Sequence, residues 1–283
     1  MSVAIRAAGY LRQGVNVALV FVLVGLTHEK TVDAQSVCLP SPRLLTTFPM
    51  GAQVGSEVEI TVTGEYIEEA GDLRFSDPQI RAVKVVGPDG VHTLGRYLVS
   101  IPKDVTPGLV EASVMTRLGL SSSRIFTVSG LREIAQTKGN QKLDTAMPIE
   151  LNSVCNATMT ARAVDFYRFN AVGGQRILVD CAAKGIDSKL NPVVIVADAN
   201  GQDVAVERRG GAIDFVVPED GAYVIKVHDL TFKGGAHYFY RLNLTALAEN
   251  DQITRHQMTK KVHAFSWPPA GLGGNATTTE VEP

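Results

Sequence analysis

The sequence is short of net charge. Its 27 Lys and Arg residues face 29 Asp and Glu, a formal balance of −2. A nucleic-acid partner calls for a basic stripe that displaces counterions from phosphate, and its absence excludes nucleic acid from the expected partners. Cysteine occurs only three times, at Cys38, Cys155 and Cys181, which leaves one thiol over whichever pair forms. Aromatic residues are 6% of the chain while apolar residues are 45%, a balance that fits a globular chain and excludes disorder over most of its length. No G-x-S-x-G nucleophile elbow and no H-E-x-x-H pair occurs, so two common frames for hydrolytic chemistry are missing. The only serine cluster, Ser121-Ser122-Ser123, reads as a turn between strands.

Long apolar runs are also missing, with one exception. Arg6 and Arg12 precede an apolar stretch from Val15 to Leu26, followed by Thr31-Val32-Asp33-Ala34. The stretch is about a dozen residues, short of the roughly 20 that span a bilayer. A basic start, a short apolar centre and small residues at Val32 and Ala34 describe a secretory signal peptide over residues 1–34. The expected location is therefore secreted, periplasmic or cell-surface, with no membrane attachment after cleavage. Export permits disulfides.

What fills the rest is strand grammar. In residues 35–129, Val58, Ile60 and Val62 alternate with Glu59 and Thr61, as do Tyr97, Val99 and Ile101 with their neighbours. Turn signals at Asp77-Pro78, Pro88-Asp89-Gly90 and Pro107-Gly108 separate six or seven short strands, the spacing of an immunoglobulin-like sandwich. Residues 130–142 show no period and read as a linker, with a short helical turn at Arg132–Gln136. Residues 143–248 resume the alternation. Asp165–Phe169 runs into a Gly173-Gly174 turn, Ile177–Ala182 pairs back, and Val193–Ala197 is a continuous apolar run of the kind buried on both faces. Asp198-Ala199-Asn200-Gly201 is a hairpin turn. Residues 249–283 lose periodicity and form an irregular tail.

Several residues invite a chemical reading. Cys155 shares strand parity with Ala157, and Cys181 with Ile177 and Val179, so both point inward in one domain. There they either bridge neighbouring strands or remain two buried thiols, and geometry decides which. His228-Asp229 and His237 flank one loop, where a two-His-one-carboxylate site competes with a solvated hairpin loop as the simpler reading. Asp198 to Asp203 superficially follows a calcium loop, yet loop position 12 falls on Arg209 and the flanks are strands, so a hairpin is favoured. Asp165 at a strand head is expected to accept hydrogen bonds from turn amides. Tyr238 and Tyr240 share a face. Exposed, they are the ligand-contact candidates, a platform for carbohydrate or peptide. Buried, they are core, which their continuation into Leu242 and Leu244 favours.

The segment P-R-L-L-T-T-F-P-M-G-A-Q-V-G-S-E-V-E-I-T-V-T-G, with the later I-P-K-D-V-T-P-G-L-V-E-A-S-V, resembles TIG/IPT-type immunoglobulin-like domains of exported bacterial proteins. The second unit resembles the bacterial pre-peptidase C-terminal (PPC) domain. Asp165, Tyr167 and Phe169 with Gly174-Gln175, then Leu190-Asn191-Pro192, Asp198 with Gly201, Asp220-Gly221 with Tyr223, and Tyr238 with Tyr240-Arg241-Leu242 carry that resemblance in order. It implies a jelly-roll-like β-sandwich that aids secretion, folding or attachment. Calcium is implied only through collagen-binding relatives, which hold it near the domain start, where this chain offers just Asp144 and Glu150. The terminal T-T-T-E-V-E-P resembles the lead-in to another such domain, so a front fragment of a larger secreted peptidase or multi-repeat surface protein is the alternative. The expectation is an all-β chain of two β-sandwich domains, immunoglobulin-like then PPC-like, behind a signal helix. It has no catalytic, cofactor-binding or metal residue, and its partner is a polysaccharide or an extracellular protein.

Overall fold

A computed structural model describes residues 39–68, 71–210 and 212–248. The signal segment, Cys38 and the tail lie outside the described residues. Nine strands build the first sandwich: β1 (Arg43–Phe48), β2 (Gly51–Gln53), β3 (Glu57–Glu65), β4 (Leu73–Phe75), β5 (Arg81–Val86), β6 (His92–Ser100), β7 (Gly108–Thr116), β8 (Gly119–Leu120) and β9 (Arg124–Ser129). One sheet runs β1-β3-β6-β5, and the facing sheet runs β2-β9-β7-β4 with β8 on β7. Alternation sets which face is wet. Pairing Ile60 with Tyr97 and Val58 with Val99 puts Ile60, Tyr97 and Val99 on the dry side and the Glu59–Arg96 ion pair outside. They pack on Ala112, Val114, Phe126 and Val128 of the other sheet. Phe75 meets Phe126 edge-on at 5.2 Å.

Ten strands follow: β10 (Arg132–Ala135), β11 (Met147–Pro148), β12 (Ser153–Thr158), β13 (Asp165–Ala171), β14 (Arg176–Ala182), β15 (Pro192–Asp198), β16 (Asp203–Glu207), β17 (Ala212–Val216), β18 (Gly221–Asp229) and β19 (Phe239–Leu247). They form two five-stranded sheets, β10-β12-β19-β14-β17 and β11-β13-β18-β15-β16. From β12 to β15 the chain changes sheet at every strand, so consecutive strands face each other across the core. Tyr167, Phe169, Val194, Val196, Ile225 and Val227 from one sheet meet Ile177, Val179, Phe215, Tyr240, Leu242 and Leu244 from the other. Asp198 closes the β15–β16 hairpin by accepting the amides of Asn200 and Gln202 at 2.9 and 2.8 Å.

The segment expected as a linker with a helical turn is corrected. Residues 132–135 are β10, paired parallel to β12, so they belong to the second sandwich's sheet. Only Gly130 and Leu131 separate β9 from β10. The two sandwiches meet through Met50, Leu109 and Ile125 on one side and Ile186 and Phe239 on the other. The Ile125 amide donates to Asp187 Oδ2 at 2.9 Å. Beside this apolar contact lies Arg241, 2% exposed. Its guanidinium donates to Glu133 Oε1 at 2.5 Å and Asn156 Oδ1 at 2.8 Å, and Asn156 Nδ2 donates to Glu133 Oε2 at 2.6 Å. The triangle satisfies a buried charge that would otherwise be costly. Gly51 of β2 lies against the guanidinium so closely that a Cβ there would overlap it.

Candidate functional site

The most site-like cluster of titratable groups is buried in the second sandwich. Asp165 opens β13, fully buried. Its Oδ2 accepts the Tyr240 hydroxyl at 2.6 Å, and the Tyr167 and Tyr240 hydroxyls are 2.7 Å apart. Its Oδ1 is buried without a hydrogen-bond partner. Burial pushes the Asp165 carboxyl upward from its ordinary value, against the opposing pull of Tyr240, Gln136 and the Lys138 charge. Burial likewise raises Tyr167 and Tyr240, with the neighbouring negative groups adding to it. The chain of hydroxyls polarises in one direction and fixes the two sheets together. Its tyrosines and its carboxyl are at most 1% exposed, so no substrate reaches them.

This geometry corrects one sequence expectation and decides between two pairs of alternatives. Asp165 serves a tyrosine of the facing sheet instead of turn amides, because the strand starts inside the core. Tyr240 is core, so it contacts no ligand, and Tyr238 is half-buried against the same core. The Cys155–Cys181 bridge does not form, and both cysteines are free and buried. Cys155 on β12 and Cys181 on β14 both pair with Leu242 of β19, which lies between them. Two strand spacings are about 9.5 Å, beyond the roughly 7 Å that a disulfide spans. Burial pushes the Cys155 thiol up to about 12 and raises Cys181 well above its ordinary value, so neither is a ready nucleophile.

His228, Asp229 and His237 belong to one end of the second sandwich, but not as a ligand set. Asp229 is fully buried. Its Oδ1 accepts the Asn191 amide at 2.9 Å, and its Oδ2 accepts the Thr231 amide, the Thr231 hydroxyl and the Lys233 amide at 2.8, 2.7 and 3.1 Å. Burial alone would raise this carboxyl. The bonds from Asn191, Thr231 and Lys233 outweigh it and hold Asp229 below its ordinary value. Both oxygens are thus spent on shaping a loop. The His228 ring stacks on Phe232 at 4.6 Å and 2°. The His237 carbonyl accepts the Lys189 amide at 2.9 Å. Among the described residues no group of three His, Cys, Asp or Glu side chains converges. Of the two acids near the domain start, Glu150 pairs with Arg132 at 2.6 Å.

Three loops are woven together here: residues 159–163, 183–191 and 229–238. The Arg162 amide donates to the Phe232 carbonyl at 2.8 Å, Gly235 N to Met159 O at 2.9 Å, and Leu230 N to Asn191 O at 2.8 Å. Gly234 lies so close to the backbone of Thr160 and Ala161 that a side chain there would overlap it. Phe232 is held at φ 56° with its amide bonded to Asp229 O and its carbonyl to Arg162 N. A left-handed backbone is strained for a bulky residue and persists where the surroundings over-determine it. The residue is 46% exposed. Phe232, Arg162, Lys189 and Lys233 were not picked out from sequence. The local signal was Phe232-Lys233-Gly234-Gly235, an aromatic and a cation beside a close-packing glycine pair.

No protein-family model matches the sequence, and no curated protein matches it. Solved structures resemble the chain only distantly. One is the pre-peptidase C-terminal domain of a collagenase from Bacillus anthracis, at 17% identity and a TM-score of 0.30, covering 35% of this chain and 94% of that one. A second is a periplasmic inhibitor of g-type lysozyme from Aeromonas hydrophila, at 15% identity and a TM-score of 0.30, covering 41% and 98%. A third, from the mixed-linkage glucan utilization locus of Bacteroides ovatus and solved with a mixed-linkage heptasaccharide, has 9% identity and a TM-score of 0.24, covering 71% and 73%. At these identities and TM-scores the likeness carries no conclusion about this chain.

Proposed function

We propose that the chain is an exported, non-catalytic attachment module in which a PPC-type sandwich is carried on an immunoglobulin-like one. One observation carries this reading. The acid–tyrosine–thiol cluster assembled by the fold is sealed in the core, while an exposed aromatic ring and exposed cations stand on loops braced by the scaffold. Catalysis needs a reactive group within reach of substrate. Binding needs only side chains placed on a firm frame. The partner class is a polysaccharide or an extracellular protein, and export follows from the leader read in residues 1–34.

The test has two arms on the full chain, recovered from whichever fraction holds it. A broad hydrolase screen is expected to show no turnover, and a glycan and matrix-protein array is expected to show at least one binder. Turnover that Tyr240→Phe and Asp165→Asn abolish would overturn the reading, since it would place chemistry in the sealed cluster. Repeating the array with a calcium chelator tests the calcium expectation tied to Asp144 and Glu150.

A further inference from the structure

The loop end of the second sandwich is more than a place where a partner could touch. Across residues 159–163, 183–191 and 229–238 the sequence places four cations, Arg162, Lys184, Lys189 and Lys233, against two carboxylates, Asp187 and Asp229. Both carboxylates are already engaged. Asp229 is buried under four donors, and Asp187 accepts the Ile125 amide. All four cations are exposed, and none of them takes part in the ion pairs formed among the described residues. In a chain of near-zero net charge this is a local excess of positive charge, and it is fixed in position by backbone hydrogen bonds between the loops.

The second observation is independent of charge. Phe232 presents its ring outward from a left-handed backbone position and stacks on His228 with the two planes 2° apart. One face of a flat ring is thereby supported from beneath and the ring stays partly open to solvent. Leu230 beside it is 54% exposed. A supported aromatic face is a platform for a sugar ring, whose C–H groups pack on it while its polar groups stay in water. Cations flanking such a platform complement carboxylate or sulfate groups.

We propose that this loop end binds an acidic polysaccharide, with Phe232 as the stacking platform and Arg162, Lys189 and Lys233 as contacts to its anionic groups. The proposal rests on the attachment reading and names the ligand class for it. The experiment titrates the full chain with polygalacturonate, dextran sulfate, neutral dextran and poly-glutamate at low and physiological salt. Polygalacturonate or dextran sulfate is expected to bind and to weaken as salt rises, with neutral dextran not binding. The triple variant Arg162→Gln, Lys189→Gln, Lys233→Gln should lose roughly tenfold or more in affinity, at up to about fivefold per exposed contact. Phe232→Asn, chosen because Asn tolerates the left-handed backbone, should lose roughly fivefold for the acidic glycans and nothing for poly-glutamate. Thermal melts of each variant confirm that the fold is retained.

Equal binding of neutral dextran would overturn the proposal, as would an unchanged affinity in the folded triple variant. Equal binding of poly-glutamate with no effect of Phe232→Asn would also overturn it, in favour of undirected charge attraction. The failure of the broader reading looks different. If another array ligand binds and every loop variant retains it, the attachment function stands and this site falls. If nothing binds and a substrate is turned over, both fall.

Discussion

Asp229→Ala is the perturbation whose cost can be worked out from the structure. Four donors lose one acceptor: the amides of Asn191, Thr231 and Lys233 and the Thr231 hydroxyl, at 2.7 to 3.1 Å. A hydrogen bond to a charged group is worth about 1.5–3 kcal/mol net, so simple addition would exceed 6 kcal/mol. That sum overstates the loss, because Asn191, Thr231 and Lys233 are exposed residues and water can reach part of the vacated loop. A cost of about 3 kcal/mol follows once roughly half the donors rehydrate. For a chain of this size that lowers Tm by about 6–12 °C. Asp229→Asn should cost nearly as much, because its amide nitrogen must face either three donors or one. The carboxyl is held low in the folded state, so its stabilisation is fully present above about pH 4, the unfolded value. It fades as pH falls through the lower folded value. Urea melts of wild type and both variants from pH 3 to 7 read this out. The gap should be constant at neutral pH and close in acid. A gap under about 1 kcal/mol at pH 7, or one that widens in acid, would refute the account of the loop.

Other consequences are as direct. Asp165 is raised by burial, so its ionised form disfavours folding. Stability relative to Asp165→Asn should be greatest below about pH 4 and decline as pH rises through the folded value, the reverse of Asp229 and visible in the same melts. Gly51→Ala forces a methyl into the Arg241 guanidinium and the Thr127 carbonyl oxygen and should cost about 1–3 kcal/mol; a neutral result in denaturant melts would show that both the guanidinium and the strand can give way. Cys155 and Cys181 should alkylate fully in denaturant without reductant and slowly in the native state. A mass difference of two hydrogens between reduced and unreduced samples, mapped to their peptides, would contradict the free thiols.

The fold was legible where alternation was strong. Val58-Glu59-Ile60-Thr61-Val62 announces β3 because period two has one physical meaning, a strand with one dry face. Asp198 to Gly201 announces a hairpin because its side chain and glycine fit one turn. β10 stayed hidden because Arg132-Glu133-Ile134-Ala135 is too short to show a period and pairs parallel with a strand of the next sandwich. The choice between a disulfide and two buried thiols stayed open for a related reason. Parity correctly put both thiols inside, but sheet order, which places β19 between β12 and β14, is not written in either strand. Arg241 alternates with the core residues Tyr240 and Leu242, and its own face is covered by Gly51 of the first sandwich. Phe232 was invisible as a site residue because its prominence comes from a left-handed backbone imposed by neighbours far away in sequence.

Gly130 and Leu131 are the whole passage between β9 and β10. A load drawn through the chain therefore finds no slack to take up there. To part the two sandwiches it must break the apolar contact of Met50, Leu109 and Ile125 with Ile186 and Phe239 and the Ile125–Asp187 hydrogen bond. A partner bound at the loop end, as proposed, would thus be tied to the opposite end through a two-residue passage, as by a bracket instead of a string.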